Sequence, residues 1–361
     1  MIISPRWLAP FIATAFLVAA LGTSAQERPF DAKLQTAFDK EQLSGLHNVL
    51  IIHNGKILAE RHFRGADQRV GEPWSMRKHG PKTLHGLRSI TKSIVGLLYG
   101  IALAEGKVPG LNQSLLIQFP EYPDLAHDPK RKAILIKHAL SMTLGTAWNE
   151  ELSYLDRKNS AVLMQYEKDQ HRYVLDRPMA SEPGKSFVYN GGAVAIIARL
   201  IERGVGMSID KYAEAKLFKP LGIRAYEWVR GADGAPNSYG GLRLNVHDLA
   251  KIGKLVIQKG KFDGRQVVPA AWLEESFKPR SAHKNGMKYG YLWWLVPKRW
   301  KDLPELVVGL GNGGQTLAIH PKQNLIVVIF AGNYNNADDG KLPLKIMTKF
   351  VVPALEMQLE K

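Results

Sequence analysis

The stretch Arg88-Ser89-Ile90-Thr91-Lys92-Ser93-Ile94-Val95-Gly96 opens a long apolar segment that ends at Gly106. Its apolar side chains recur at the spacing of a helix with one buried face, at Ile90, Ile94, Leu97, Leu98 and Ile101. Ser89 therefore lies in the first helical turn. Lys92 lies one turn deeper, where its ammonium group can reach the serine hydroxyl. A serine nucleophile needs this geometry if a lysine activates it.

A Ser-x-x-Lys motif alone is a weak signal, because about one or two matches are expected by chance in a chain of this length. Three further matches begin at Ser75, Ser208 and Ser281. Ser75 and Ser281 fall in polar loops, and Ser208 opens a short helix, where serine is commonly an N-cap. Only Ser89 heads a long apolar helix. This context favours a nucleophile, with a buried N-cap serine as the alternative.

The first 25 residues differ from the rest of the chain and predict an export signal. Arg6 is their only charged side chain, residues 7–22 are largely apolar, and Thr23-Ser24-Ala25 supplies small residues for cleavage. We therefore predict a signal peptide at residues 1–25 and an exported protein, periplasmic or secreted, that begins at Gln26. An uncleaved membrane anchor is the alternative, although the apolar run is short for a membrane span.

Composition narrows the functional classes. The chain has 361 residues, 45% hydrophobic content and no cysteine, so it can bury a large core but has no disulfide and no thiol chemistry. Its formal net charge of +16 favours anionic neighbours, which makes an anionic envelope surface a candidate partner. Lysine and arginine are spread along the chain without stacking aromatics, which argues against nucleic acid binding.

The distribution of strands and helices predicts an α/β fold whose antiparallel sheet is built from both chain ends. Asn54-Gly55 between two alternating runs predicts a β-hairpin over residues 48–62. The final third predicts strands at residues 291–296, 306–309, 315–320 and 324–330, followed by a helix at residues 345–357. Between the two ends, helices are predicted at residues 133–142, 159–165, 193–203, 208–218, 246–260 and 269–277.

From this layout we predict that residues 26–361 form a single catalytic unit. Its sheet comes from about residues 45–111 and 246–361, it is flanked by helices, and a mostly helical lobe is inserted at about residues 112–245. No internal repeat is apparent.

Two further stretches could complete a site. Tyr189 ends a turn-rich loop directly before an apolar helix, and residues 309–315 form a glycine-rich strand end that a ligand can approach closely. The simpler interpretations are a packed tyrosine and a tight hairpin.

The ordered set of Ser89-x-x-Lys92, Tyr189 and the glycine-rich strand resembles the serine β-lactamase and penicillin-binding-protein superfamily. Within it the chain is most similar to the class C-like branch, which includes family VIII esterases and 6-aminohexanoate-dimer hydrolases. The resemblance extends from about Leu46 to Pro353 and is supported at residues 140–145, 216–222, 240–242 and 264–269. It implies a β-lactamase/transpeptidase-like fold.

The resemblance also implies roles. Ser89 would be the acylated nucleophile, Lys92 its partner, and Tyr189 the hydroxyl that relays protons to the leaving group. The backbone N–H groups of Ser89 and Gln315 would form the oxyanion hole. Lys92 and Tyr189 titrate as a coupled pair, so the residues alone leave open which of them is the base.

Two departures from the family pattern bear on the substrate. Gly191 stands where class C-like enzymes have asparagine, with Asn190 one position earlier, and Asn312 stands where penicillin-recognising enzymes have a cationic residue or histidine. Asn190, Gly191, Asn312, Gly313 and Gly314 are the predicted substrate-binding residues. A missing cation weakens recognition of a substrate carboxylate. The missing side chain at Gly191 should leave room beside the scissile bond. We therefore expect short uncharged acyl esters or linear amides rather than β-lactams.

Other chemistries are disfavoured. The Gly-x-Gly-x-x-Gly match at residues 309–314 precedes no helix, no Gly-x-Ser-x-Gly elbow occurs, and the histidines show no ligand spacing, so we predict neither cofactor nor metal. His85 could form a Ser-His pair but is more simply a loop residue. The sequence thus predicts an exported serine hydrolase of a small-molecule ester or amide. The alternatives are a β-lactamase or D-amino-acid peptidase, and a non-catalytic envelope-binding module.

Overall fold

The computed structural model describes residues 29–70, 72–298, 300–336 and 338–359. The segment predicted as a signal peptide lies outside these residues. Among the described residues, no helix has the length and apolar character needed to cross a membrane.

The bounds of the elements are as follows. The helices are α1 (Pro29–Asp39), α2 (Ile90–Ala104), α3 (Pro129–Lys132), α4 (Ile136–Leu140), α5 (Ser160–Met164), α6 (Gln170–Leu175), α7 (Gly191–Val205), α8 (Ile209–Ala213), α9 (Val246–Ile257), α10 (Ala270–Ser276), α11 (Lys341–Ile346) and α12 (Val352–Leu359). The strands are β1 (Leu46–His53), β2 (Lys56–His62), β3 (Arg64–Asp67), β4 (Ser75–Lys78), β5 (His85–Gly86), β6 (Glu227–Trp228), β7 (Leu242–Leu244), β8 (Lys261–Phe262), β9 (Arg265–Gln266), β10 (Ser281–Ala282), β11 (Lys288–Tyr289), β12 (Trp294–Val296), β13 (Leu306–Gly311), β14 (Gln315–His320) and β15 (Leu325–Ala331).

An antiparallel sheet of eight strands forms the centre of the fold, in the order β10-β11-β12-β13-β14-β15-β1-β2. The two chain ends meet where β1 pairs with β15, for example at Val49 and Ile329. The predicted α/β fold with a sheet from both chain ends is therefore confirmed. The predicted hairpin is also present, because Asn54 and Gly55 take the positive φ values (50° and 76°) that a tight turn between β1 and β2 requires.

The two faces of this sheet pack into separate hydrophobic cores. Along β1, Leu50 belongs to one core, whereas Val49 and Ile51 belong to the other, as expected from the alternation of side chains in a strand. The core that contains Leu50 also includes residues of α2, α7 and α9. The core that contains Val49 and Ile51 also includes residues of α1, α11 and α12. Helix α1 was not predicted from the sequence.

Glycines let β13 lie close to the beginning of α2. A Cβ atom at Gly311 would lie 2.4 Å from the carbonyl oxygen of Leu87, and one at Gly309 would lie 3.1 Å from Ile90. Every residue of α2 from Ile90 to Ala102 is buried. The helix that begins next to Ser89 is thus fixed against the middle of the sheet.

Several predicted elements differ in extent or type. The strand predicted from residue 291 begins only at Trp294, because Leu292 takes a left-handed φ of 59° that interrupts an extended chain. Ser75 and Ser281, which we expected in loops, begin the short strands β4 and β10. The last helical region begins at Lys341, four residues before the predicted start.

Candidate active site

Ser89 lies immediately before α2, at a sharp turn of the chain. The N–H of Leu87 donates to the carbonyl oxygen of Leu242 over 2.9 Å, which anchors the approach to this turn. Arg88 has a left-handed φ of 50°, and Ser89 returns to φ −68°. Such a conformation is costly for a non-glycine residue and persists only where the surroundings fix it. Here the Arg88 guanidinium stacks 4.2 Å from the centre of the Tyr334 ring.

Lys92 is buried, and its Nζ returns to the serine. Nζ donates to Ser89 Oγ over 2.9 Å and to the carbonyl oxygen of Tyr239 over 2.8 Å. The hydroxyls of Ser208 and Ser281, in two other Ser-x-x-Lys matches, donate instead to a carboxylate and to a main-chain carbonyl. The structure therefore supports the distinction that the sequence context drew between Ser89 and these matches.

Tyr189 is the third member of the predicted trio, and the structure brings it to the other two. Its ring centre lies 4.8 Å from Lys92 Nζ. The ring stacks on Trp294 at 5.7 Å between centres and meets Tyr289 edge-on. Tyr189 and Ser89 line the same cleft. Tyr189 is thus packed against aromatic side chains and also lines the cleft beside Ser89.

The cleft has two arms that share Ser89, Tyr154 and Asn312. The larger arm has a volume of about 620 Å³ and includes Tyr189. The smaller arm has a volume of about 200 Å³ and includes Lys92. A substrate carbonyl placed at Ser89 would therefore have space on both sides.

Glu150 is a buried acid that the sequence analysis missed. Its carboxylate accepts hydrogen bonds from Trp148 Nε1 (2.8 Å), the Tyr154 hydroxyl (2.8 Å) and the Gly191 N–H (2.5 Å). Lys92 Nζ lies 3.8 Å from the same carboxylate, and neither side chain is more than 2% exposed. Since a buried charge is costly without a partner, the carboxylate and the ammonium group offset one another.

The segment after Tyr189 supports Glu150 rather than opening space for a substrate. A Cβ atom at Gly191 would lie 3.1 Å from a carboxylate oxygen of Glu150 and 3.2 Å from the Tyr239 ring. The expectation that Gly191 leaves room beside the scissile bond is therefore wrong. The Asn190 side chain caps α7 by accepting from the Ala193 N–H over 2.9 Å. Neither Asn190 nor Gly191 lines an arm of the cleft.

Tyr154 is a second tyrosine at the serine. Burial raises the pKa of its hydroxyl well above the ordinary value, and the nearby Glu150 charge acts in the same direction, whereas a hydrogen bond with Ser89 opposes both. Tyr154 therefore stays protonated at neutral pH and can act here as a hydrogen-bond donor, but not as a base.

The glycine-rich stretch forms the tight hairpin between β13 and β14. Asn312, Gly314 and Gln315 line the larger arm. The Gly313 N–H donates to Asp339 over 2.8 Å, and Asn312 Oδ1 accepts from a main-chain N–H over 3.2 Å. The Gln315 amide bonds the β15 main chain, donating over 2.6 Å and accepting over 3.1 Å. These two hydrogen bonds fix the position of the Gln315 backbone at the cleft.

Among the described residues, three buried histidines are the group that could hold a metal, with ring nitrogens within 4.8 Å of one another. They are His47, His79 and His85, and His85 belongs to β5 rather than to the predicted loop. The rings of His47 and His79 stack at 3.9 Å with an interplanar angle of 9°. Ring nitrogens bind metals in the ring plane, so one of these rings would have to turn before both could bind the same ion.

Comparison with known proteins agrees with this geometry. The family model described as Beta-lactamase matches residues 30–347. The chain belongs to the beta-lactamase family. This assignment confirms the superfamily resemblance and makes the protein a member of a family of hydrolases with the β-lactamase fold.

Individual members of the family are distant in sequence. The 6-aminohexanoate-dimer hydrolase of Paenarthrobacter ureafaciens is 22% identical over 307 residues, which covers 77% of this chain and 70% of that protein. The structure of EstCE1, a hydrolase with promiscuous acyltransferase activity, has a TM-score of 0.69 at 15% identity and covers 88% of this chain and 96% of its own. The octameric penicillin-binding protein homologue from Pyrococcus abyssi has a TM-score of 0.64 at 17% identity, with 90% and 77% covered.

Proposed function

We propose that the protein is an exported serine hydrolase that cleaves an ester or an amide through an acyl-enzyme on Ser89. The hydrogen bond of 2.9 Å from buried Lys92 to Ser89 Oγ, at the meeting point of the two arms of the cleft, is the main support for this proposal. A hydroxyl needs such a neighbour to lose its proton during attack.

The reaction would proceed in two balanced halves. Ser89 Oγ attacks the carbonyl carbon, and its proton passes to the coupled pair of Lys92 and Tyr189. The N–H groups of Ser89 and Gln315 stabilise the negative carbonyl oxygen. The C–O or C–N bond then breaks, the leaving group takes the proton, and the acyl group stays on Ser89. Water attacks this acyl-enzyme by the same route and releases the acid.

A fluorophosphonate probe tests the nucleophile. Intact-mass analysis should show one label on the wild type and none on Ser89→Ala. Ser281→Ala is the matched control and should label like the wild type. A label that persists in Ser89→Ala would exclude Ser89, and an unlabelled wild type would favour a non-catalytic envelope-binding module.

β-Lactamase or D-amino-acid peptidase activity is the second candidate, because the family model and several penicillin-binding-protein structures match the chain. Comparing kcat/KM for nitrocefin with that for p-nitrophenyl butyrate separates the two. A preference for nitrocefin would replace the esterase proposal.

Export is the part of the proposal that depends on residues 1–25. N-terminal sequencing of the protein purified from its native cells should begin at Gln26. A chain that begins at Met1 in the membrane fraction would support an anchor instead.

A further inference from the structure

The two arms of the cleft differ in size and in chemistry. The larger arm, of about 620 Å³, has about three times the volume of the smaller arm, of about 200 Å³. Both begin at Ser89, so the two halves of one substrate would enter different surroundings.

Apolar side chains form most of the wall of the larger arm. They come from β12, β13, the α11 region and the segment between β12 and β13, and they include Val296, Trp300, Val308, Leu310, Leu344 and Met347. The charged groups of this arm each have a contact: Asp338 pairs with Lys341, the Asp339 carboxylate accepts the Gly313 N–H, and the Lys301 ammonium lies 4.7 Å from the centre of the Trp300 ring. The interior of the larger arm therefore suits a hydrocarbon chain better than a polar group.

The smaller arm is more polar than the larger one. The amide residues Gln68, Gln165, Asn237 and Asn335 line it together with Lys92. Its size and its amides suit a short polar group that forms hydrogen bonds. Lys92 Nζ, which is bonded to Ser89 Oγ, lines this arm and not the larger one. With the leaving group in this arm, Lys92 returns the proton to it, rather than Tyr189, which lines the larger arm.

We propose that the substrate is amphiphilic, with an unbranched acyl chain of about eight or more carbons in the larger arm and a small polar alcohol or amine as leaving group in the smaller arm. This inference rests on the proposed function. It replaces the expectation of short acyl groups, which rests on Gly191 and Asn312 and not on the shape of the larger arm.

Chain length then controls catalytic efficiency. Each methylene that leaves water for the apolar arm should raise kcat/KM about fourfold, up to the end of the arm. With the methyl esters of acetic, butyric, octanoic and decanoic acids, each below its solubility limit and followed by release of acid, we expect kcat/KM for octanoate to exceed that for butyrate at least about 10-fold. An equal or lower value for octanoate in the wild type would overturn the inference.

Blocking the arm should remove this preference. Leu344→Trp places a large ring in the larger arm, and Leu310→Trp does so from another element in case the first variant folds poorly. Each should lower the ratio of octanoate to acetate kcat/KM at least about fivefold. Ile117→Trp, at a residue that is 74% exposed and lines neither arm, is the matched control and should keep the wild-type ratio.

The orientation of the substrate has its own test. For esters of one acid, methyl should be a better leaving group than octyl, because an octyl chain exceeds the smaller arm. If lengthening the alcohol to octyl raised kcat/KM and lengthening the acyl group to octanoyl did not, the assignment of the two arms would be wrong. If Ser89 is labelled but kcat/KM does not change with acyl length, only the proposal of an amphiphilic substrate is contradicted. If Ser89 is not labelled and no ester is hydrolysed, the proposed function itself is contradicted.

Discussion

At the scale of single residues, Glu150 places a negative charge where the sequence shows only a polar loop. Its carboxylate accepts three hydrogen bonds and lies 3.8 Å from Lys92 Nζ. Because both groups are buried, the charge on one strongly affects the other. Glu150 therefore helps to hold the lysine that contacts Ser89, and we infer a positioning role for it.

Glu150→Gln should slow catalysis. The glutamine keeps the size of the side chain but removes the carboxylate charge that lies 3.8 Å from Lys92 Nζ. Because the Lys92 side chain is then held less firmly beside Ser89, kcat/KM should fall at least about 10-fold. Thermal stability should also fall, since the remaining ammonium is buried without its counter-charge.

The matched control is the neighbouring Glu151, whose side chain is 64% exposed. Glu151→Gln should leave both kcat/KM and the melting temperature unchanged. A Glu150→Gln variant that melts earlier but keeps the wild-type kcat/KM would show that Glu150 is only a structural residue.

The site was predictable from sequence only where its geometry is local. Ser89 and Lys92 are three positions apart on one helix, so helical spacing alone brings them together. Glu150 and Tyr154 reach Ser89 through tertiary folding, and nothing in their own neighbourhood marks them. Gly191 was misinterpreted for the same reason, because the space beside it is filled by side chains distant in sequence.

At the scale of elements, the approach of β13 to the beginning of α2 positions the nucleophile. Gly311→Ala places a methyl group 2.4 Å from the Leu87 carbonyl oxygen, which is main chain and cannot rotate away. We expect a loss of about 2 kcal/mol or more in the free energy of unfolding. Displacement of Ser89 should also lower kcat/KM at least about 10-fold. Urea unfolding and ester hydrolysis measure the two effects.

Gly110→Ala provides the comparison, because no atom lies within 4 Å of a Cβ at that position. It should unfold and react like the wild type. If Gly311→Ala did the same, the close packing of β13 on α2 would not determine the position of Ser89.

The elements themselves followed the sequence where their pattern was regular. The helix after Ser89 and the strands from residue 306 onward carry unbroken apolar patterns, and their positions agree with the prediction. The strand at residues 291–296 was predicted too long, because the local pattern does not reveal the left-handed Leu292. That conformation accompanies tertiary hydrogen bonds, in which the Leu292 N–H donates to Leu140 and its carbonyl accepts from Ser93.

At the scale of the whole molecule, burial of histidines couples folding to pH. Burial lowers the pKa of His47 from 6.5 to about 4 and that of His85 from 6.5 to about 3. Asp67 lies 3.7 Å from His85 and opposes both shifts without reversing them. Burial also lowers the pKa of four other histidines, namely His79, His138, His171 and His320.

Stability should therefore fall as the pH decreases below about 6.5. In that range the unfolded chain binds protons at these histidines, whereas the folded protein does not, so protons favour unfolding. Urea unfolding at pH 7.5, 6.0 and 5.0 should show that the free energy of unfolding decreases steadily with decreasing pH. The full stability should be present only above pH 6.5.

His47→Gln separates this linkage from general acid sensitivity. The variant loses packing contacts at every pH. It also lacks one group that binds a proton in the unfolded chain and not in the folded protein, so its free energy of unfolding should fall less steeply between pH 7.5 and 5.0 than that of the wild type. His127→Gln changes an exposed histidine and should keep the wild-type slope. Carboxylates with lowered pKa values contribute only below about pH 4.5, outside this range. Equal stability of the wild type at pH 7.5 and 5.0 would show that the buried histidines are already protonated in the folded protein.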